Sequence, residues 1–102
     1  LFQMQEPPIK IMWSLGRQMR QLYSARLALE SGRGSGWVAS LWNIKPYPAD
    51  KLMQSAKRFT LPWCRRAVDR YGHAYVEMKS PGRHGRDIIT ALLLELANQP
   101  AA

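Results

Sequence analysis

The chain has 102 residues, of which 46% are hydrophobic, so it has enough apolar surface for one folded domain and too much for a disordered chain. Lys and Arg number 15 against seven acids, and the net charge of +8 indicates either a polyanionic partner or a solvated basic surface. The single cysteine, Cys64, excludes an internal disulfide, a Cys-x-x-Cys redox pair and a cysteine-rich zinc site. We therefore expect no metal, cofactor or small-molecule substrate.

The first half of the chain predicts a strand, a helix and a second strand. Residues 1–8 end in two prolines and are predicted as an extended arm, and residues 9–13 then alternate as a strand does. Gly32 ends a helix whose apolar stripe recurs every three to four residues, at Leu15, Met19, Leu22, Ala25 and Leu29. Residues 37–44 are bulky on both faces, which is typical of a central strand.

The second half predicts a short helix, a β-hairpin and a final helix. The short helix follows Asp50, and its apolar residues have helical spacing, at Leu52, Met53, Ala56 and Phe59. Residues 63–71 and 73–79 have the pattern of two strands separated by Gly72, and residues 87–97 favour helix. The order β-α-β-(short helix)-β-β-α predicts an α/β fold with a mixed four-stranded sheet. We expect one domain over residues 9–98, with residues 99–102 as a C-terminal tail.

Positive charge marks the candidate nucleic-acid site. Arg83, His84 and Arg86 lie in a glycine-bearing loop before a helix N-terminus, where backbone N–H groups and the helix dipole favour a phosphate. A solvated loop is an equally acceptable interpretation. Further candidates for backbone contacts, or for ordinary solvated positions, are Lys57, Arg58, Arg66, Arg70, Arg17 and Arg20.

The final helix is apolar around most of its circumference. Ile88, Ala91 and Leu94 extend its apolar stripe beyond the width that one sheet covers, which predicts a protein interface on that side. No Ser-His-Asp or paired-carboxylate arrangement is present, so we expect no catalytic residue and no enzymatic activity. No apolar run approaches the roughly 18 residues that span a bilayer.

The order of elements and several segments resemble the thioredoxin-like mitochondrial proteins, in particular the large-subunit ribosomal protein family numbered fifty-three. The resemblance is carried by residues 9–13, 24–29, 72–78 and 90–93, with the glycine-histidine turn at Gly72-His73 and the methionine at Met78. It implies a thioredoxin-like fold without the redox site, because residues 14–17 contain no cysteine.

The resemblance implies a structural component of the mitochondrial large ribosomal subunit, located in the matrix, with ribosomal RNA and neighbouring mitoribosomal proteins as partners. The alternative is a non-catalytic accessory subunit of respiratory complex I, which makes protein contacts only. Because the sequence begins at Leu1 rather than Met, we expect an upstream segment that is not part of this sequence, and either a cleaved transit peptide or a disordered start would explain it.

Overall fold

The computed structural model describes residues 6–99 as five helices without a strand. Residues 1–5 of the predicted arm and residues 100–102 of the predicted tail lie outside the described part. The helices are α1 (Pro8–Glu30), α2 (Ser35–Trp42), α3 (Pro46–Ala56), α4 (Leu61–Met78) and α5 (Gly85–Asn98). The predicted thioredoxin-like α/β fold with its four-stranded sheet is therefore wrong.

The first predicted strand is the opening of α1. Pro8 occupies the first turn of the helix, where its missing N–H is not needed and its fixed φ suits the helix. Met12 is completely buried and Trp13 is 54% exposed, so the stretch has an inner and an outer face with helical spacing. The apolar stripe over residues 15–29 predicted the rest of α1 correctly. Gly32 follows the helix at φ 74°, and the Arg33 N–H donates to the Ala28 carbonyl over 2.8 Å.

The predicted hairpin is a single helix, α4. Thr60 caps it, because its hydroxyl oxygen accepts from the Trp63 backbone N–H at 3.2 Å. The buried residues of α4 recur every three or four positions, at Trp63, Cys64, Ala67, Tyr71 and Ala74. Val76, which strand alternation assigned to the dry face, is 66% exposed. Gly72 does not separate two strands, because α4 continues through it. A Cβ atom at this position would meet no atom within 4 Å.

The second predicted strand is the short helix α2. Asn43 ends it in the left-handed conformation at φ 52°, and the Ile44 N–H donates to the Ala39 carbonyl over 3.0 Å. The short helix predicted after Asp50 exists as α3, although it begins earlier, at Pro46. The last predicted helix agrees with α5 within two residues at its start.

In the described part of the chain, three clusters of buried side chains lie along α1, and one of them, formed by Trp63, Cys64 and Ala67 of α4, packs against Leu22 and Tyr23. The other two each join three helices. The first joins α1, α4 and α5 and comprises Met12, Tyr71, Ala74, Ile88, Ile89 and Leu92. The second joins α1, α2 and α3 and comprises Ala25, Ala28, Val38, Ala49 and Ala56. Within residues 6–99, α1 packs on all four other helices, whereas neither α2 nor α3 packs on α4 or α5. The domain thus has two lobes that share one long helix.

The two helices α1 and α4 approach each other closely at Gly16. The Tyr71 hydroxyl donates to the Met12 carbonyl over 2.7 Å, which places the aromatic ring directly over the Gly16 backbone. A Cβ atom at residue 16 would lie 2.4 Å from the Tyr71 hydroxyl oxygen and from the ring carbon that bears it. Position 16 therefore has no room for a side chain.

Candidate protein-docking trough and basic surfaces

The predicted phosphate-binding loop lies between α4 and α5, and carboxylates of both helices lie beside its cations. Arg83 Nη1 is 3.6 Å from Glu77 Oε2, and Arg70 Nε is 2.6 Å from Glu95 Oε2. A shallow depression beside the loop is lined by both signs of charge, from Arg70, Glu77, Arg83, His84 and Asp87. Arg86 also has an interaction within the domain. The loop is a mixed-charge surface rather than a concentrated cationic site.

The other predicted nucleic-acid residues are dispersed. Lys57 and Arg58 precede α4 and the basic loop follows it, and the 18 residues of α4 span about 27 Å. Arg66 is exposed one turn before Arg70. Arg17 and Arg20 belong to α1, where the Arg17 guanidinium lies 5.5 Å from the centre of the Trp42 ring. The structure does not gather the nine predicted residues into one surface, and their binding role remains a prediction.

The three residues of the predicted protein interface on the last helix differ in their exposure. Ile88 is only 7% exposed and packs in the core formed by α1, α4 and α5. Ala91 is exposed, and Leu94 is 60% exposed. A docking role on α5 therefore depends on Ala91 and Leu94, and it too remains a prediction.

Sequence reasoning missed an apolar trough between the two lobes. Its volume is about 290 Å³. Its apolar lining comes from α1, α3 and α4, and comprises Leu15, Met19, Leu22, Leu52, Trp63, Cys64 and Ala67. Gln18 and Gln21 supply polar groups along the α1 side. We call this feature the α1 trough. Its α1 residues were recognised as an apolar stripe, but the sequence alone did not show that part of that stripe stays uncovered.

The α1 trough continues at both ends into shallower depressions. One shares Leu15 and Gln18 with it and extends to Ile11, Lys10 and Glu6. The other shares Leu52 and reaches Lys51. Three full turns of α1 separate Ile11 from Leu22, a distance of about 16 Å. The combined surface is long, narrow and apolar, with a lysine towards each end.

Cys64 lies in the wall of the trough but is unsuited to thiol chemistry. Its residue is 2% exposed, and burial raises the pKa of the thiol above its ordinary value, while the charge of Arg26 partly opposes that rise. A protonated, covered thiol is a poor nucleophile. Residues 6–99 contain no group of three His, Cys, Asp or Glu residues placed to hold a metal ion. None of their helices combines the length and hydropathy that a membrane crossing requires.

The fold and the trough define an all-helical domain in two lobes with an uncovered apolar face. The family model of the DNA polymerase III delta subunit, C-terminal domain, matches residues 1–96. The chain therefore belongs to this family. The structure is also similar to that of the Bacillus subtilis DNA clamp loader delta protein, with a TM-score of 0.84 and 25% sequence identity. That similarity covers 93% of this chain and 28% of the clamp loader delta protein. Comparison with curated proteins gave no match.

These findings overturn the functional expectations that the resemblance to mitochondrial proteins implied. The match to a DNA polymerase III domain contradicts a role in the large ribosomal subunit, with ribosomal RNA and mitoribosomal proteins as partners. The complex I alternative is contradicted by the same match. The mitochondrial matrix location depended on those assignments and is wrong with them. Two of the four segments that carried the resemblance, residues 9–13 and 72–78, were interpreted as strands, and the structure shows them to be helical.

Proposed function

We propose that this chain is a non-catalytic assembly domain of a DNA clamp loader delta subunit, and that the α1 trough binds a helix of a neighbouring loader subunit. The observation that carries this proposal is the apolar trough left open between the lobes. Membership of the delta C-terminal domain family supports a role in a DNA polymerase III assembly. The similarity to a clamp loader delta protein supports a clamp loader as that assembly.

The shape and chemistry of the trough suit one face of an amphipathic helix. Leu15, Met19 and Leu22 are each partly exposed in the isolated chain. Removing apolar surface of this kind from water contributes about 25 cal/mol per Å². A helix that lies along α1 presents its own apolar residues every three or four positions, which matches the spacing in the trough. Lys51, towards one end, favours an acidic group on that flank of the partner helix, whereas Lys10 at the other end shares its depression with Glu6.

The test is to place a long charged side chain on the rim of the trough. Gln18 is exposed and helical, so Gln18→Arg is expected to fold normally while its guanidinium obstructs the trough. We expect the affinity for the co-expressed loader subunits to fall by roughly tenfold or more, which corresponds to about 1.4 kcal/mol. Analytical ultracentrifugation of the mixed subunits measures the loss.

Gln54→Arg is the matched control, because it adds the same charge to an exposed position of α3 that does not line the trough. Assembly of Gln54→Arg should equal that of the unaltered protein. If Gln18→Arg also assembles normally, the trough is not the docking site. In that case Leu94→Asp tests the second exposed apolar surface, on α5.

A further inference from the structure

A second surface lies about 150° around α1 from the trough, estimated at 100° per residue. It combines the exposed ring of Trp13 and the half-buried ring of Tyr75 with cations, and it belongs to α1 and α4. Its members are Trp13, Arg17, Arg20, Tyr75 and Lys79. We call it the aromatic–basic face. The three α1 members follow one another at helical intervals of four and three residues, so they project from the same side.

Trp13 and Tyr75 form the centre of the aromatic–basic face. Trp13 is 54% exposed, and its indole N–H lies 3.5 Å from the Tyr75 hydroxyl oxygen. The ammonium group of Lys79 lies 4.5 Å from the centre of the Tyr75 ring. On the buried side, the Tyr71 and Tyr75 rings stack with their centres 6.1 Å apart. Contacts from both helices therefore hold the exposed Trp13 ring and the half-buried Tyr75 ring in place.

The charges of this face are uncompensated within residues 6–99. The ion pairs of this part of the chain use the guanidinium groups of Arg26, Arg70 and Arg83. Arg20 lies beside the Tyr71 hydroxyl, where its charge opposes the rise that burial causes in the pKa of Tyr71. Arg17 and Lys79 contact aromatic rings instead of carboxylates. The face thus presents three positive charges next to two aromatic side chains.

We infer that the aromatic–basic face binds single-stranded DNA. Phosphates are attracted by Arg17, Arg20 and Lys79, and a base stacks on the exposed ring of Trp13. A single strand offers the faces of its bases, whereas a duplex keeps them stacked inside the helix. An acidic peptide without aromatic side chains would satisfy the cations but would leave the ring of Trp13 without a stacking partner. This inference goes beyond the proposed assembly role and concerns a different surface from the trough.

The test measures binding of the full chain to a labelled oligonucleotide of about 12 deoxythymidines by fluorescence anisotropy. We expect Trp13→Ala to weaken binding by about five- to tenfold, because a stacked base is lost. Trp13→Phe keeps an aromatic ring and is expected to retain most of the affinity. Lys79→Gln should reduce the slope of log affinity against log salt by about 0.7, the value for one lost phosphate contact on a single strand.

The matched control is a second tyrosine–lysine pair on α3. Tyr47 is 68% exposed and the Lys51 ammonium group lies 5.3 Å from its ring centre, with the same four-residue spacing as Tyr75 and Lys79. Tyr47→Ala is expected to leave both the affinity and the salt slope unchanged, and so is Lys45→Gln, which removes an exposed lysine outside the trough and outside the face. Equal losses in the control variants would overturn the inference, since they would show diffuse attraction. Equal affinity for duplex DNA or polyglutamate, or unaltered binding by Trp13→Ala, would overturn it too.

Discussion

Replacement of Gly16 by alanine is expected to destabilise the domain by about 2–3 kcal/mol, the upper range for overpacking a close contact. The new methyl group would lie 2.4 Å from the Tyr71 ring, whose hydroxyl is held by the Met12 carbonyl. Relief requires α1 and α4 to separate or the Tyr71 hydrogen bond to break. The better helix propensity of alanine, worth about 1 kcal/mol, is too small to offset this overlap. Urea denaturation followed by circular dichroism measures the change.

Replacement of Gly72 by alanine, in α4, is expected to have the opposite effect on stability. A Cβ atom at residue 72 meets no atom within 4 Å, so Gly72→Ala is expected to stabilise α4 by about 0.5–1 kcal/mol. Removing the ring in Gly16→Ala/Tyr71→Leu should recover part of the stability lost in Gly16→Ala, as a double-mutant cycle would show. A stabilising effect of Gly16→Ala would contradict the observed approach of the two helices.

Leu92→Ala is expected to cost about 2–5 kcal/mol. Leu92 has no exposed surface and lies in the cluster that joins α1, α4 and α5, next to Ile89. The truncation removes buried apolar contacts and leaves a cavity, because three helices surround the site and none can close it alone. Urea denaturation measures the change. A lower urea concentration at the midpoint, with an unchanged dependence of the unfolding free energy on urea, would show that the variant has lost stability and that the surface exposed on unfolding is the same.

Leu94→Ala, two residues further along α5, is the control for this experiment. Leu94 is 60% exposed in the isolated chain, so its truncation should change the free energy of unfolding by no more than about 0.5 kcal/mol. Comparable losses in the two variants would mean that the inner face of α5 has been assigned incorrectly. The pair also separates stability from docking, since Leu94 can matter for a partner without mattering for the fold.

The first helix was predicted correctly because its apolar spacing repeats over many residues and a glycine marks its end. Leu15 to Leu29 supplied four repeats, and Gly32 then ended the helix as a left-handed residue. The strands were wrong because short segments carry too few repeats to distinguish a period of 2.0 from one of 3.6. In residues 73–79, Ala74 and Met78 are partly or wholly covered in either periodicity, and only exposed Val76 separates the two.

Basic residues were recognised from the sequence, but their grouping was not. Arg70 and Arg83 each contact a glutamate from elsewhere in the fold, which no local pattern reveals. Trp13 and Tyr75 are 62 positions apart and meet only because α1 and α4 pack side by side. The trough likewise combines three helices, and only the way in which they pack leaves its apolar lining uncovered. Surfaces built from distant segments require the fold before they can be identified.

The sharing of α1 by the two lobes has a consequence for motion. Besides α1, the lobes are joined by residues 57–60, where the Phe59 and Trp63 rings stack 4.3 Å apart. Local opening can therefore release α2 and α3 while the other lobe stays folded. Leu52 and Trp63 lie on opposite walls of the trough and belong to different lobes. A helix bound there would clamp the two lobes together, and slower amide hydrogen exchange in α3 would then report that the trough is occupied.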